Sequence, residues 1–157
     1  MVFRNQTNIF CGMHPHGLAY AKDSEGALYN DGTSGADKAD DRIAPGQSHT
    51  YTWRVPPRAG PGPGEGSSIL WMYHSHFVEP KDMNTGLLGA IIVSAAGMSR
   101  PDVRPSDVDR EFVAAFAIFD ETASAYAESN LRMGGRRTFT VKATDPEIGR
   151  ASCRERV

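Results

Sequence analysis

Four of the chain's five histidines fall in two pairs at i,i+2 spacing, His14-Pro15-His16 and His74-Ser75-His76. On an extended strand, side chains two residues apart leave the same face roughly 7 Å from each other, so each pair aims two imidazoles into one space. Two such strands side by side would deliver four nitrogen donors. A lone histidine is more often structural or exposed than a ligand. Five histidines scattered over 157 positions would, however, rarely give even one such pair by chance. Imidazole suits copper, zinc, iron and nickel alike, so the donors do not by themselves choose the metal. His49 has no partner at this spacing and is read as solvent-exposed.

The rest of the chain agrees with a strand framework. Sixteen glycines and ten prolines separate short apolar runs, and no long stretch repeats at helical spacing. Expected strands are the end of one at Val2–Asn5, then His14–Tyr20, Thr50–Val55, Ile69–His76, Leu87–Ser94 and Glu111–Phe119. On the Ile69–His76 strand, Leu70, Met72, His74 and His76 share a face, which is read as core passing into ligands. Pro56 to Gly66, rich in proline and glycine, is a surface loop. Ala123–Arg132 is a candidate short helix. Five or six short strands with turns between them predict an all-β Greek-key sandwich. No internal repeat is present.

Length fits one domain with a genuine core. A formal charge of −2 carries no nucleic-acid or membrane footprint, no apolar run reaches membrane-spanning length, and no signal peptide is visible. Residues 1–133 are read as a single, incomplete domain whose start is also truncated, and 134–147 as the start of a linker to a further domain. The string Ile148 to Val157 matches the conceptual translation of a common sequencing adapter in one frame and is read as an artefact. Discounting it removes three arginines and one glutamate, which moves the formal charge from −2 to −4, and also removes Cys153. Cys11 is then alone, which excludes an internal disulfide. Its place three residues before His14 would suit a thiolate ligand, but a small residue packed in a turn accounts for it better.

The loop after the first histidine pair carries Lys22, Glu25, Asp31, Asp37, Asp40 and Asp41. Hard cations such as calcium collect carboxylates and backbone carbonyls, so this is a candidate oxygen-ligand site. A solvated acidic loop is the plainer explanation. Gly17, directly after the first pair, would let the backbone approach a metal or a partner closely, or simply make a turn.

The spacing of H-x-H-G at His14–Gly17 and W-x-Y-H-S-H at Trp71–His76 resembles the first cupredoxin, or plastocyanin-like, domain of multicopper oxidases. Tyr20–Ala27, Lys38–Asp41, Glu79–Asp82 and Gly86–Gly89 narrow the resemblance to the ceruloplasmin-like group, to which the A domains of coagulation factors are related. It covers about Val2 to Leu131. It implies a cupredoxin-like fold in which His14 ligates a type 2 copper, and His16, His74 and His76 a type 3 pair. The trinuclear cluster so formed takes half its histidines from a first domain and half from a last one. Copper can cycle between oxidation states where zinc cannot. His74-Ser75-His76 stands where electron-accepting domains of the superfamily carry His-Cys-His, so no type 1 copper is expected here.

The resemblance further implies calcium in the acidic loop, held by the Lys22 carbonyl and the carboxylates of Glu25, Asp37, Asp40 and Asp41, with Asp31 as a further candidate. The implied activity is one-electron oxidation of a small reductant, ferrous iron among the options, coupled to four-electron reduction of molecular oxygen to water. The implied partner is a C-terminal cupredoxin domain of the same protein or another subunit, in a secreted or periplasmic setting. The fragment alone is expected to be inactive. The competing expectation is a non-enzymatic, calcium-stabilised binding module resembling an A domain.

Overall fold

The computed structural model describes residues 1–133; the expected linker and the 148–157 string lie outside the described residues. Among the described residues five strands occur in chain order, β1 (Val2–Arg4), β2 (Met13–Pro15), β3 (Ser48–Thr50), β4 (Ser68–Ser75) and β5 (Leu88–Ser94), with two short α-helices, α1 (Glu79–Asn84) and α2 (Ala127–Met133). They form two antiparallel sheets, β1-β3 and β2-β4-β5. The chain crosses from one sheet to the other three times before β4 passes to β5, and this alternation makes a sandwich from such short strands.

The core lies between the sheets. Cys11, Met13 and Tyr51 are buried together and pack with Phe3 from β1, Tyr73 from β4 and Trp53. A second cluster joins Leu18, Ala59 and Val93 with Ile69, Trp71 and Ile91. Tyr51, wholly buried, carries its hydroxyl inward, where it accepts from Met13 N–H at 3.1 Å and donates to the Asp40 carbonyl at 2.7 Å. A buried phenol needs such partners. Burial also pushes its pKa well above the ordinary value.

β4 departs from expectation in its facing. Ile69, Trp71 and Tyr73 point to the core, whereas Leu70 is 56% exposed. The face carrying Leu70, Met72, His74 and His76 is therefore the outer face of the sheet. Across the ladder, Ile92 pairs with Leu70, Ala90 with Met72 and Leu88 with His74, so this outer face is apolar up to the histidines.

Three other expectations change. The His14–Tyr20 strand is ladder only at β2, with a single later bridge from Ala19 to Arg54. The Thr50–Val55 strand pairs earlier, at β3, where Phe3 faces His49. Glu111–Phe119 forms no ladder at all. It carries no regular secondary structure, and Phe112, Phe116 and Ile118 are more than four-fifths exposed. Apolar, β-prone residues make a strand only where another strand is available to pair.

A candidate metal centre on the open face of the sheet

The register of β2 against β4 builds the site. His14 stands directly opposite His74, Met13 opposite Ser75 and Pro15 opposite Tyr73. Beyond the ladder, His16 N–H donates to the Met72 carbonyl at 2.8 Å and His76 N–H to the Gly12 carbonyl at 3.0 Å. All four imidazoles thus leave the same face. The ring centroid of His14 lies 5.5 Å from that of His16, 5.7 Å from His74 and 5.3 Å from His76, and His16 lies 5.1 Å from His74. A one-residue slip in the pairing would send one pair into the core.

Backbone carbonyls fix two tautomers. His14 Nδ1 lies 2.7 Å from the Glu25 carbonyl and His74 Nδ1 lies 3.0 Å from the Ser75 carbonyl. A carbonyl only accepts, so both Nδ1 atoms carry the proton and both Nε2 atoms present lone pairs. Burial lowers the pKa of both imidazoles, and the neighbouring rings reinforce this. Neutral rings with free Nε2 are the form that binds a metal. The Nε2 atoms of His16 and His74 are 3.1 Å apart. Two imidazoles on one tetrahedral metal, with bonds of about 2.0–2.1 Å, would bring their nitrogens to about 3.3 Å. The same separation also suits one N–H···N hydrogen bond. Among the described residues no three His, Cys, Asp or Glu side chains by themselves close a metal cage.

Gly17 has a φ of +74°, and a Cβ there would meet the Trp71 indole at 2.2 Å. Trp71 and the turn, rather than a metal or a partner domain, therefore demand the glycine. Cys11 is a buried core thiol with its pKa raised by burial. His49 belongs to the other sheet. It is half-buried rather than solvent-exposed, with Nε2 3.0 Å from the Asp23 carbonyl and its ring 4.6 Å from that of Tyr51.

The acidic loop folds directly beneath the histidine strand. Gly26 N–H donates to Asp40 Oδ2 at 2.6 Å, and a Cβ at Gly26 would strike the Met13 backbone at 2.2 Å. Asp40 and Asp41 are buried, and Asp40 Oδ1 and both Asp41 carboxylate oxygens have no hydrogen-bond partner. Burial raises the Asp40 pKa. Lys22 pairs with Glu25 and Asp31. Lys38 pairs with Asp31 at 2.8 Å and lies 3.0 Å from Asp41 without hydrogen-bonding alignment. Burial opposes the Lys22 charge, but bonds to Asp31, Glu25 and Tyr29 outweigh it and hold the ammonium above its ordinary pKa. Two ammoniums thus sit where the sequence suggested a divalent cation. Glu25, Asp31, Asp40 and Asp41 gather here, whereas Asp37, on the same Gly35–Lys38 turn as Lys38, is exposed.

Residues not anticipated include Glu79, with Oε2 3.5 Å from His76 Nε2, and the buried Asp82. Both lie on α1, a helix the sequence signalled only through Pro80 in its first turn and Gly86 beyond its end.

The sequence is 42% identical to ferroxidase HEPHL1 of Mus musculus over 141 residues, 89% of this chain and 12% of that protein. It is 42% identical to human hephaestin over 121 residues, 76% of the chain and 10% of the relative. It is 39% identical to human ceruloplasmin over 119 residues, 76% of the chain and 11% of the relative. The chain belongs to the ceruloplasmin-like multicopper oxidases. It spans about a tenth of the length of these ceruloplasmin-like relatives. Its two antiparallel sheets agree with the all-β architecture expected of that family. No family model matches the chain. A crystal structure of a multi-copper oxidase from Pseudomonas parafulva aligns with a TM-score of 0.43 and 23% identity over 61% of this chain and 19% of that one.

Proposed function

We propose that His14, His16, His74 and His76 are this chain's share of a trinuclear copper cluster in a larger oxidase. The observation that carries this reading is the convergence of all four imidazoles on one face, two with carbonyl-fixed tautomers and the His16 and His74 nitrogens 3.1 Å apart. That separation fits His16 and His74 sharing one copper of the type 3 pair, with His76 on its neighbour and His14 on the type 2 copper. Bound copper supplies the one-electron redox steps that couple oxidation of a reductant to reduction of oxygen to water.

The chain's own residues hold the four imidazoles in register and keep the protonated nitrogens of His14 and His74 turned toward the Glu25 and Ser75 carbonyls. The remaining ligands come from a C-terminal cupredoxin domain that covers the outer face of the β2-β4-β5 sheet. Leu70 and Ile92, exposed on that face, form the apolar surface such a domain would bury. Ferrous iron is the proposed reductant, because the name of the Mus musculus relative carries the word ferroxidase. An extracytoplasmic setting follows from the family reading. Among the described residues no helix is long and apolar enough to cross a membrane.

Calcium is the proposed occupant of the acidic loop. The orphaned oxygens of Asp40 and Asp41 fit a hard cation that takes carboxylates. Its entry would require the ammoniums of Lys22 and Lys38 to swing out. A binding module without copper gains no support from either histidine pair.

The test is oxygen consumption by the full-length protein with His74→Ala or His76→Ala. Each variant should lose oxygen reduction and keep the blue type 1 absorbance of a copper held by another domain. Wild-type turnover in either would reject the reading.

A further inference from the structure

Ser75 stands between the two histidines of β4 and turns the opposite way, into the core, where it is fully buried. Its Oγ accepts from Gly12 N–H at 3.3 Å and donates to Asp82 Oδ2 at 2.6 Å. The same carboxylate oxygen accepts from Val78 N–H at 3.1 Å, and Asp82 is 2% exposed. Around this chain of bonds, Ser75 N–H donates to the Leu87 carbonyl at 2.9 Å, and Leu87 N–H donates to the Asp82 carbonyl at 3.1 Å.

The clamp sits where the sheet gives out. The β4 ladder with β5 ends at His74 opposite Leu88, and that with β2 ends at Ser75 opposite Met13. His76 is left with its N–H to Gly12 and a single bridge to Ala27. A buried carboxylate is costly unless hydrogen-bonded, and an apolar pair of similar volume would serve packing as well. What the O–H···O bond adds is direction. It fixes the Ser75 side chain, and through the backbone on either side it fixes the height and tilt of His74 and His76. Gly12 ties the same hydroxyl to the strand that leads to His14.

We propose that Asp82, acting through Ser75, is a positioning residue that sets the geometry of the His74 and His76 imidazoles against His14 and His16. Its use for copper rests on the proposed function, but its effect on the rings does not.

The experiment uses the whole chain with Asp82→Ala, Ser75→Ala, Asp82→Asn and, as a core control away from the clamp, Val93→Ala. In the metal-free protein, proton NMR contacts among the four imidazole rings are recorded well below each thermal midpoint. Asp82→Ala and Ser75→Ala should lose the contacts of His74 and His76 while keeping that between His14 and His16. Asp82→Asn retains an acceptor oxygen and should restore them, and Val93→Ala should leave them unchanged. With copper(II) added, affinity should fall about tenfold in the two alanine variants, the usual scale for losing a group that orients a ligand. Their electron paramagnetic resonance parameters should also shift. The double variant should be no worse than either single one.

Ring contacts unchanged in Asp82→Ala and Ser75→Ala, or changed equally in Val93→Ala, would overturn the proposal. Copper bound equally by wild type and His74→Ala would instead reject the copper reading. In that case the metal-free ring contacts would still decide whether Asp82 positions the imidazoles.

Discussion

Replacing Gly17 with alanine should destabilise the fold more than its left-handed backbone alone explains. Gly17 has a φ of +74°, and an L-residue there costs about 1–2 kcal/mol. The new Cβ would also lie 2.2 Å from the Trp71 indole, which must move. Trp71 Nε1 donates to the Ala59 carbonyl at 2.8 Å, and Ala59 is fully buried. Leaving that carbonyl unpaired costs about 1–3 kcal/mol. The sum is about 2–5 kcal/mol. Gly46 is the matched control, because its φ is +78° and nothing stands within 4 Å of a Cβ there. Gly46→Ala should therefore lose only the backbone part, about 1–2 kcal/mol. Urea unfolding followed by circular dichroism gives both values, and tryptophan fluorescence of Gly17→Ala should report a shifted indole. Equal destabilisation of the two variants would show that the Trp71 contact does not dictate the glycine.

Calcium at a hundred times its dissociation constant should stabilise the chain by about 2.7 kcal/mol, read as a rise in thermal midpoint. Asp40→Asn with Asp41→Asn should abolish that rise, and a rise of equal size in the double variant would leave a solvated loop. Lys38→Met removes an ammonium that lies against Asp31 and Asp41, so it should tighten calcium in a calorimetric titration. The metal-free chain should lose stability as pH falls. His14 and His74 have pKa values lowered by burial, so below the ordinary histidine value, about 6.5, the unfolded chain takes up protons that the folded one resists. Denaturation at pH 7.5 and 5.5 checks this, and a flat profile would contradict it. Phe116→Ser should change stability by no more than about 0.5 kcal/mol, since Phe116 is 90% exposed.

The histidine face was legible because its chemistry rides on a two-residue period and on register, both local to short strands. Its orientation was not. Ile69, Leu70, Trp71, Met72 and Tyr73 are all apolar, so alternation could not say which set meets the core; the bulky Trp71 and Tyr73 took the inside. Glu111–Phe119 reads as a strand by composition, yet pairing depends on a neighbour that local sequence does not reveal. Asp82 was visible only as part of a motif, because its role depends on Ser75 and Gly12, which meet it through folding. The acidic loop was recognised from its carboxylates. The two lysines that neutralise them come from residues whose side chains can reach many places, and only the fold fixes where they go.

The most direct test of the central claim is copper titration of the purified chain, followed by X-ray absorption at the copper edge. Coordination by imidazole nitrogen is expected, lost when His14, His16, His74 and His76 are all replaced by alanine. Copper bound with the same affinity and the same ligand shell in the quadruple variant would show that the open face of the sheet is not a copper site.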